Sequence, residues 1–161
     1  MKTVNELVWE AIRTGKNAEP WFISGVELVA NGITTTNPTP VKTDNIGEVQ
    51  SLPYVVPRNR VLVVKGIHVN SDPSGVTQVH VKLKVTRPNV SAITMYDLIK
   101  YSDHREHHSI TGHWIRESTS VRLDLINAAA GSVYVRYFIE GILVDISSAF
   151  KKSSNDPGEV I

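Results

Sequence analysis

The sequence predicts an all-β protein: an antiparallel β-sandwich, jelly-roll-like, with a short N-terminal helix and an extended connector. Three observations predict it. Residues 77–87, "TQVHVKLKVTR", alternate apolar and polar side chains at the strand period. "ESTSVRLDLIN" and "VYVRYFIEGILVD" repeat that alternation further on. Turn-forming clusters at "SDPSG", Pro88-Asn89 and "AAAGS" separate the runs, so the strands are short and stack as about seven or eight segments.

The chain has 161 residues, 41% of them hydrophobic, which suffices for one core. Seventeen basic and 16 acidic residues leave a formal charge of +1, against a protein devoted to gripping nucleic acid. With no cysteine there is neither a disulfide framework nor a thiolate zinc site. No apolar run reaches the roughly 18 residues of a membrane-spanning helix. Acidic residues interrupt the N-terminal apolar pattern, so no secretory signal is expected.

Residues 1–20 read as a docking helix. Val4, Leu7, Val8, Ala11 and Ile12 fall on one face. Thr3 with Glu6 fits a capping box, and Gly15 is a stop. A helix this short needs a surface on its own domain, a sister subunit or another protein. Residues 21–59 read as a hairpin at Asn31-Gly32, with Val26, Leu28 and Ala30 alternating before it, followed by a Pro-rich extended connector from Asn37 to Asn59. Residues 60–146 read as the sandwich. "RVLVVKGIHVN" suits a central strand, and Val79, Val81, Leu83 and Val85 point inward from the next. "SAITMYDLIKY" is a further strand. Val121, Leu123 and Leu125, then Val133, Val135, Tyr137 and Ile139, form the remaining inward faces, with Gly141 marking a bulge or a change of face. Residues 147–161 read as a flexible tail.

The stretch "SDHREHHSITGH" holds four of the six histidines: His104, His107, His108 and His113. They are the candidates for a metal site. Zinc needs three or four ligands converging at about 2.0–2.3 Å, and no single local geometry gathers these four. The expectation is therefore no metal and no cofactor, and instead a polar loop at a strand boundary or a patch facing another subunit. Histidines from several copies would converge only at a symmetry axis; at an interface they would repel on acidification. Ser109 with His107 and Asp103 lacks the framing of a serine triad. Asp124, Glu140 and Asp145 are carboxylates that sugar cleavage would need in pairs; in strands they read as outward charges. His80, Lys82 and Lys84 make a basic stripe that keeps its face soluble. No catalytic residue is assigned.

Two aromatic features suggest contacts. Tyr134 and Phe138 occupy the outward face of the last strand, covered either by a loop or by a subunit. Trp9, near the apolar arc of the helix, reads as a docking anchor. Val4, Leu7, Val8, Trp9, Ile12, Tyr134 and Phe138 are thus the expected assembly contacts.

The segments "VVPRNRVLVVKGIHVN", "VHVKLKV" and "ESTSVRLDLINAAAGSVYVRYFIEGILVD", spanning about residues 54–145, resemble small β-sandwich virion accessory proteins of tailed bacteriophages. That resemblance implies a non-enzymatic part of the virion: capsid decoration, cement, collar or tail accessory. The expected partners are further copies of the chain, as a homo-oligomer, and other virion proteins, major capsid or tail and neck proteins; the hydropathy points to no membrane, and the charge balance speaks against nucleic acid. The resemblance offers no catalytic residues. The rival expectation is a glycan- or host-receptor-binding β-sandwich module, since a tryptophan stacks on sugar as well as on protein.

Overall fold

The structure, a computed structural model, describes residues 1–38, 42–44, 52–72, 79–89, 91–100, 106–128 and 130–150, with backbone only at 42–44, 72, 93–100 and 106–113. The order is α1 (Val4–Thr14), β1 (Ala18–Val29), β2 (Thr34–Thr36), β3 (Lys42–Asp44), β4 (Tyr54–Val55), β5 (Arg60–Asp72), β6 (Val79–Thr86), β7 (Ile93–Lys100), β8 (Glu106–Arg116), β9 (Ser120–Asn127) and β10 (Val133–Asp145). A 3-10 turn follows at Ser147–Ala149. Sheet A has the order β3-β1-β10-β5-β8, and sheet B has β2-β9-β6-β7 with β4 beside β2 on the same edge of β9. All the pairings are antiparallel.

The alternation predicted from residue 79 onward is what fills the space between the sheets. Val79, Val81, Leu83, Val121, Leu123 and Leu125 of sheet B meet Leu62, Val64, Ile67, Val135, Tyr137 and Ile139 of sheet A in one buried cluster. At roughly 1.5–3 kcal/mol gross per large apolar side chain, this cluster is the main source of stability.

The sandwich begins at residue 18 rather than 60. β1 lies inside sheet A and pairs along its whole length with β10, from Ala18 opposite Val144 to Val29 opposite Val133. Pro20, Ser24 and Gly25 disguise it as irregular chain. Gly25 is required: a Cβ there would sit 2.4 Å from the Tyr137 hydroxyl. The expected hairpin at Asn31-Gly32 does not form. β1 joins β10 while β2 joins β9, so this turn is a corner between sheets. Its latch is Asn127, fully buried, whose side-chain amide donates to the carbonyls of Val29 at 3.0 Å and Gly131 at 2.7 Å. Asn-Gly specifies a reversal of direction but not the partner of the strand that follows.

The connector between Asn37 and Asn59 contributes the short strands β3 and β4; residues 39–41 and 45–51 within it lie outside those described. Gly141 marks a bulge, as anticipated. The β10–β5 register shifts between Glu140 and Gly141, and a Cβ at Gly141 would meet the Val63 carbonyl oxygen at 2.3 Å.

Helix α1 is capped as predicted. Thr3 accepts from the Glu6 N–H at 3.3 Å, the Glu6 carboxylate accepts from the Thr3 N–H at 2.7 Å, and Gly15 closes the helix with φ 73°. The Thr3 contacts hold the Glu6 carboxyl below its ordinary value. Of the three possible supports, the helix uses its own domain. Leu7, Val8 and Ala11 pack on Val61, Val63, Val144 and Ile146, on the outer face of sheet A.

Candidate interaction surface

Sheet A shows two different halves to the outside. Near the start of β5 and the end of β10, α1 covers Val61, Val63, Ile142 and Val144. Beyond the helix the face is partly open: Pro20, Val26, Leu28, Tyr134 and Arg136 are exposed, and Phe22, Ser24, Phe138 and Glu140 are half-buried. β1 places Pro20, Phe22, Ser24, Val26 and Leu28 outward, because Trp21, Ile23 and Val29 between them are committed to the core. β10 places Tyr134, Arg136, Phe138 and Glu140 outward for the same reason. Cross-strand neighbours bring Leu28 opposite Tyr134, Val26 opposite Arg136, Ser24 opposite Phe138 and Phe22 opposite Glu140.

This face is apolar and partly open. Val26 is 41% exposed, Leu28 51% and Tyr134 49%. The apolar alternation read at Val26 and Leu28 is therefore real, but it points to solvent, while Val29 between Leu28 and Ala30 is fully buried. Phe22 and Phe138 touch with ring centroids 5.2 Å apart. The His68 ring meets Phe138 edge-on at 5.3 Å, and its Nε2 lies 3.4 Å from Glu140 Oε1. A cleft of about 220 Å³ opens among His68, Asn70, Arg136 and Phe138.

The expected assembly contacts divide in two. Leu7 and Val8 are buried against the chain's own sheet, and Val4 and Ile12 pack at the margin of the same cluster. Those four are spent within the protomer. Trp9 is 59% exposed and meets Trp114 of β8 edge-on at 5.5 Å. Tyr134 is open, and Phe138 is half covered by Phe22 and His68. Sequence reasoning missed Phe22, Val26, Leu28, His68 and Arg136. The signal was present in the alternation of residues 20–28, on a strand whose two faces are both apolar.

The histidine stretch is strand rather than loop where it is described. His107, His108 and His113 belong to β8, an edge of sheet A, opposite His68, Ile67 and Val64. His104 lies outside the described residues, as does Asp103. An edge strand carries polar residues freely, so polarity alone does not mark a loop. Among the described residues no three His, Asp or Glu side chains gather as a metal site.

The carboxylates do not converge. Asp124 lies on the outside of sheet B, whereas Glu140 and Asp145 lie on β10 in sheet A. Asp124 is buried and anchors Lys84 of the basic stripe together with Arg122: Lys84 Nζ stands 2.7 Å from Oδ2, and Arg122 Nε 3.2 Å from Oδ1. Burial alone would raise the Asp124 carboxyl, but hydrogen bonds from Lys84 and Thr36 and the Arg122 charge bring it below its ordinary value. Asp145 lies 3.8 Å from Arg60 and accepts from the Ser147 N–H at 2.8 Å, a role at the end of its strand.

The class of protein the described residues define is an all-β, two-sheet domain whose sheet A carries exposed apolar residues on its outer face. No protein-family model matches the chain, and no curated protein matches it.

Proposed function

We propose that the protein is a non-enzymatic structural component of a tailed-bacteriophage particle, a capsid decoration or cement protein or a collar or tail accessory. It oligomerises and docks on other virion proteins. The observation that carries this reading is the partly open half of sheet A. Val26, Leu28 and Tyr134 stay exposed around the Phe22–Phe138 pair, and an apolar surface of this kind finds its stable state against another protein.

The finer fold belongs to the same proposal. β1 pairs with β10, β2 with β9, β5 with β8 and β6 with β7. That nesting is what a long antiparallel hairpin acquires when it rolls up into two sheets, and it supports a jelly roll, an architecture used in viral capsid and lectin domains.

Mass spectrometry and immunogold labelling of purified particles from the host carrying this sequence test the role. The chain is expected in the particles at fixed stoichiometry with the structural proteins. Its confinement to the soluble fraction, together with binding to a glycan array that Trp9→Ala abolishes, would replace this reading with that of a sugar- or receptor-binding module.

A further inference from the structure

Cross-strand register gathers residues of metal-ligating type on the outer face of sheet A. His68 faces outward because Ile67 and Val69, on either side of it, belong to the core. Glu140 faces the same way, since Ile139 before it is a core residue. His68 Nε2 stands 3.4 Å from Glu140 Oε1. That is long for a hydrogen bond, whose usual length is about 2.9–3.0 Å. It matches one edge of a zinc tetrahedron: two ligand atoms each about 2.0–2.1 Å from the ion stand about 3.3–3.4 Å apart.

The neighbouring strand brings a second imidazole residue to the same place. His107 of β8 is the register partner of His68. Directly opposite residues share a face, with Cβ atoms about 4.5–5.5 Å apart. His108 and His113 pair instead with Ile67 and Val64, both core residues, and so belong to the other face. Gly66 lies between Glu140 on one strand and Ser109 on the other, and it puts no side chain of its own into the space above it. Both registers shift at this level, between Glu140 and Gly141 and between Val64 and Gly66. Bulges re-aim side chains and recur beside functional sites.

We infer that His68, Glu140 and His107 bind a divalent ion of the zinc type, with water as the fourth ligand. Two imidazoles and one carboxylate satisfy the ligand count of a zinc site that keeps one position open. The three residues come from adjacent strands, β5, β10 and β8, so the ion ties the edge strand β8 to the middle of sheet A. No spacing within residues 104–113 shows the site, because two of its three ligands come from other strands. Arg136 carries the same sign of charge as the ion, but its Cα lies four residues from that of Glu140 along β10, about 13 Å away. The site lies within one chain and does not rest on the virion reading.

Isothermal titration calorimetry of the full, untagged chain with zinc chloride, after dialysis against EDTA and then metal-free buffer, tests this. One ion per chain is expected, with a Kd of about 10 µM or tighter. His68→Ala, His107→Ala and Glu140→Gln are each expected to weaken binding by about 10–100-fold or more, since even a group that only supports a ligand is worth that much. His113→Gln, at the other face, is expected to leave binding unchanged. Circular dichroism checks that each variant is folded. Proton–nitrogen correlation spectra of the unmodified chain give a reading that needs no variant. The ring nitrogens of His68 and His107 are expected to shift on zinc addition, while those of His80 on sheet B do not. No binding at about 100 µM zinc overturns the inference. So does full-strength binding by His68→Ala or His107→Ala, or a shift confined to other histidines.

Discussion

Replacing Gly25 by alanine sets two physical effects against each other. In a strand, glycine costs roughly 0.5–1 kcal/mol relative to alanine, so the substitution begins with a gain. Space decides otherwise. The new methyl would sit 2.4 Å from the Tyr137 hydroxyl oxygen, 2.6 Å from its Cζ and 2.9 Å from its Cε1. Three contacts this close force the ring aside by roughly 1 Å, and overpacking of a filled core costs about 1–3 kcal/mol. Tyr137 is 3% exposed and wedged among core residues, so the upper part of that range applies and the net loss is about 2 kcal/mol. Urea denaturation of Gly25→Ala, Tyr137→Leu and the double variant measures the coupling. In the leucine background the alanine is expected to be neutral or stabilising, a coupling of about 2 kcal/mol. Equal cost of Gly25→Ala in both backgrounds would refute the packing argument.

Other substitutions probe other layers. Gly141→Ala is expected to cost about 3 kcal/mol, at the upper end for overpacking, because its methyl meets the Val63 carbonyl in a paired backbone that cannot swing away; a thermal melt shows the loss. Val8→Ala on α1 is expected to cost about 1–2 kcal/mol, whereas Trp9→Ala, whose side chain is mostly in water, costs less than half as much in the same denaturant titration. Asp124→Asn leaves Lys84 and Arg122 without their anion and is expected to cost about 1–3 kcal/mol at pH 7, discounted because both cations are partly exposed. The folded Asp124 carboxyl titrates below its unfolded value, so its stabilisation is complete above about pH 4–5 and fades as pH falls through the folded value. Stability measured from pH 7 to pH 2 is expected to fall less steeply in Asp124→Asn; parallel curves would contradict the assignment.

Several parts of this molecule were legible in the residues alone. Thr3, Glu6 and Gly15 announce the helix and its ends because capping is local chemistry. The inward faces of β6, β9 and β10 follow from a period of two with one wet side. β1 was hidden for the opposite reason. Both of its faces carry apolar residues, one committed to the core and one to the outside, so alternation gives no phase. The Asn31-Gly32 corner and the placement of the histidines on β8 depend on which strand pairs with which, and that is decided by residues far away in sequence. The partly open face of sheet A was half legible: Tyr134 and Phe138 stood out on β10, while their neighbours on β1 required the register.

The pairing of β1 with β10 joins residues 18–29 to residues 133–144. Sheet A therefore cannot close until residues 133–144 have left the ribosome. Until then β1 waits with both apolar faces uncovered, exposed to premature association with any unpaired edge. Nascent chains halted before about residue 133 should stay sensitive to protease throughout β1, and release of the last strand should be the event that shuts the molecule.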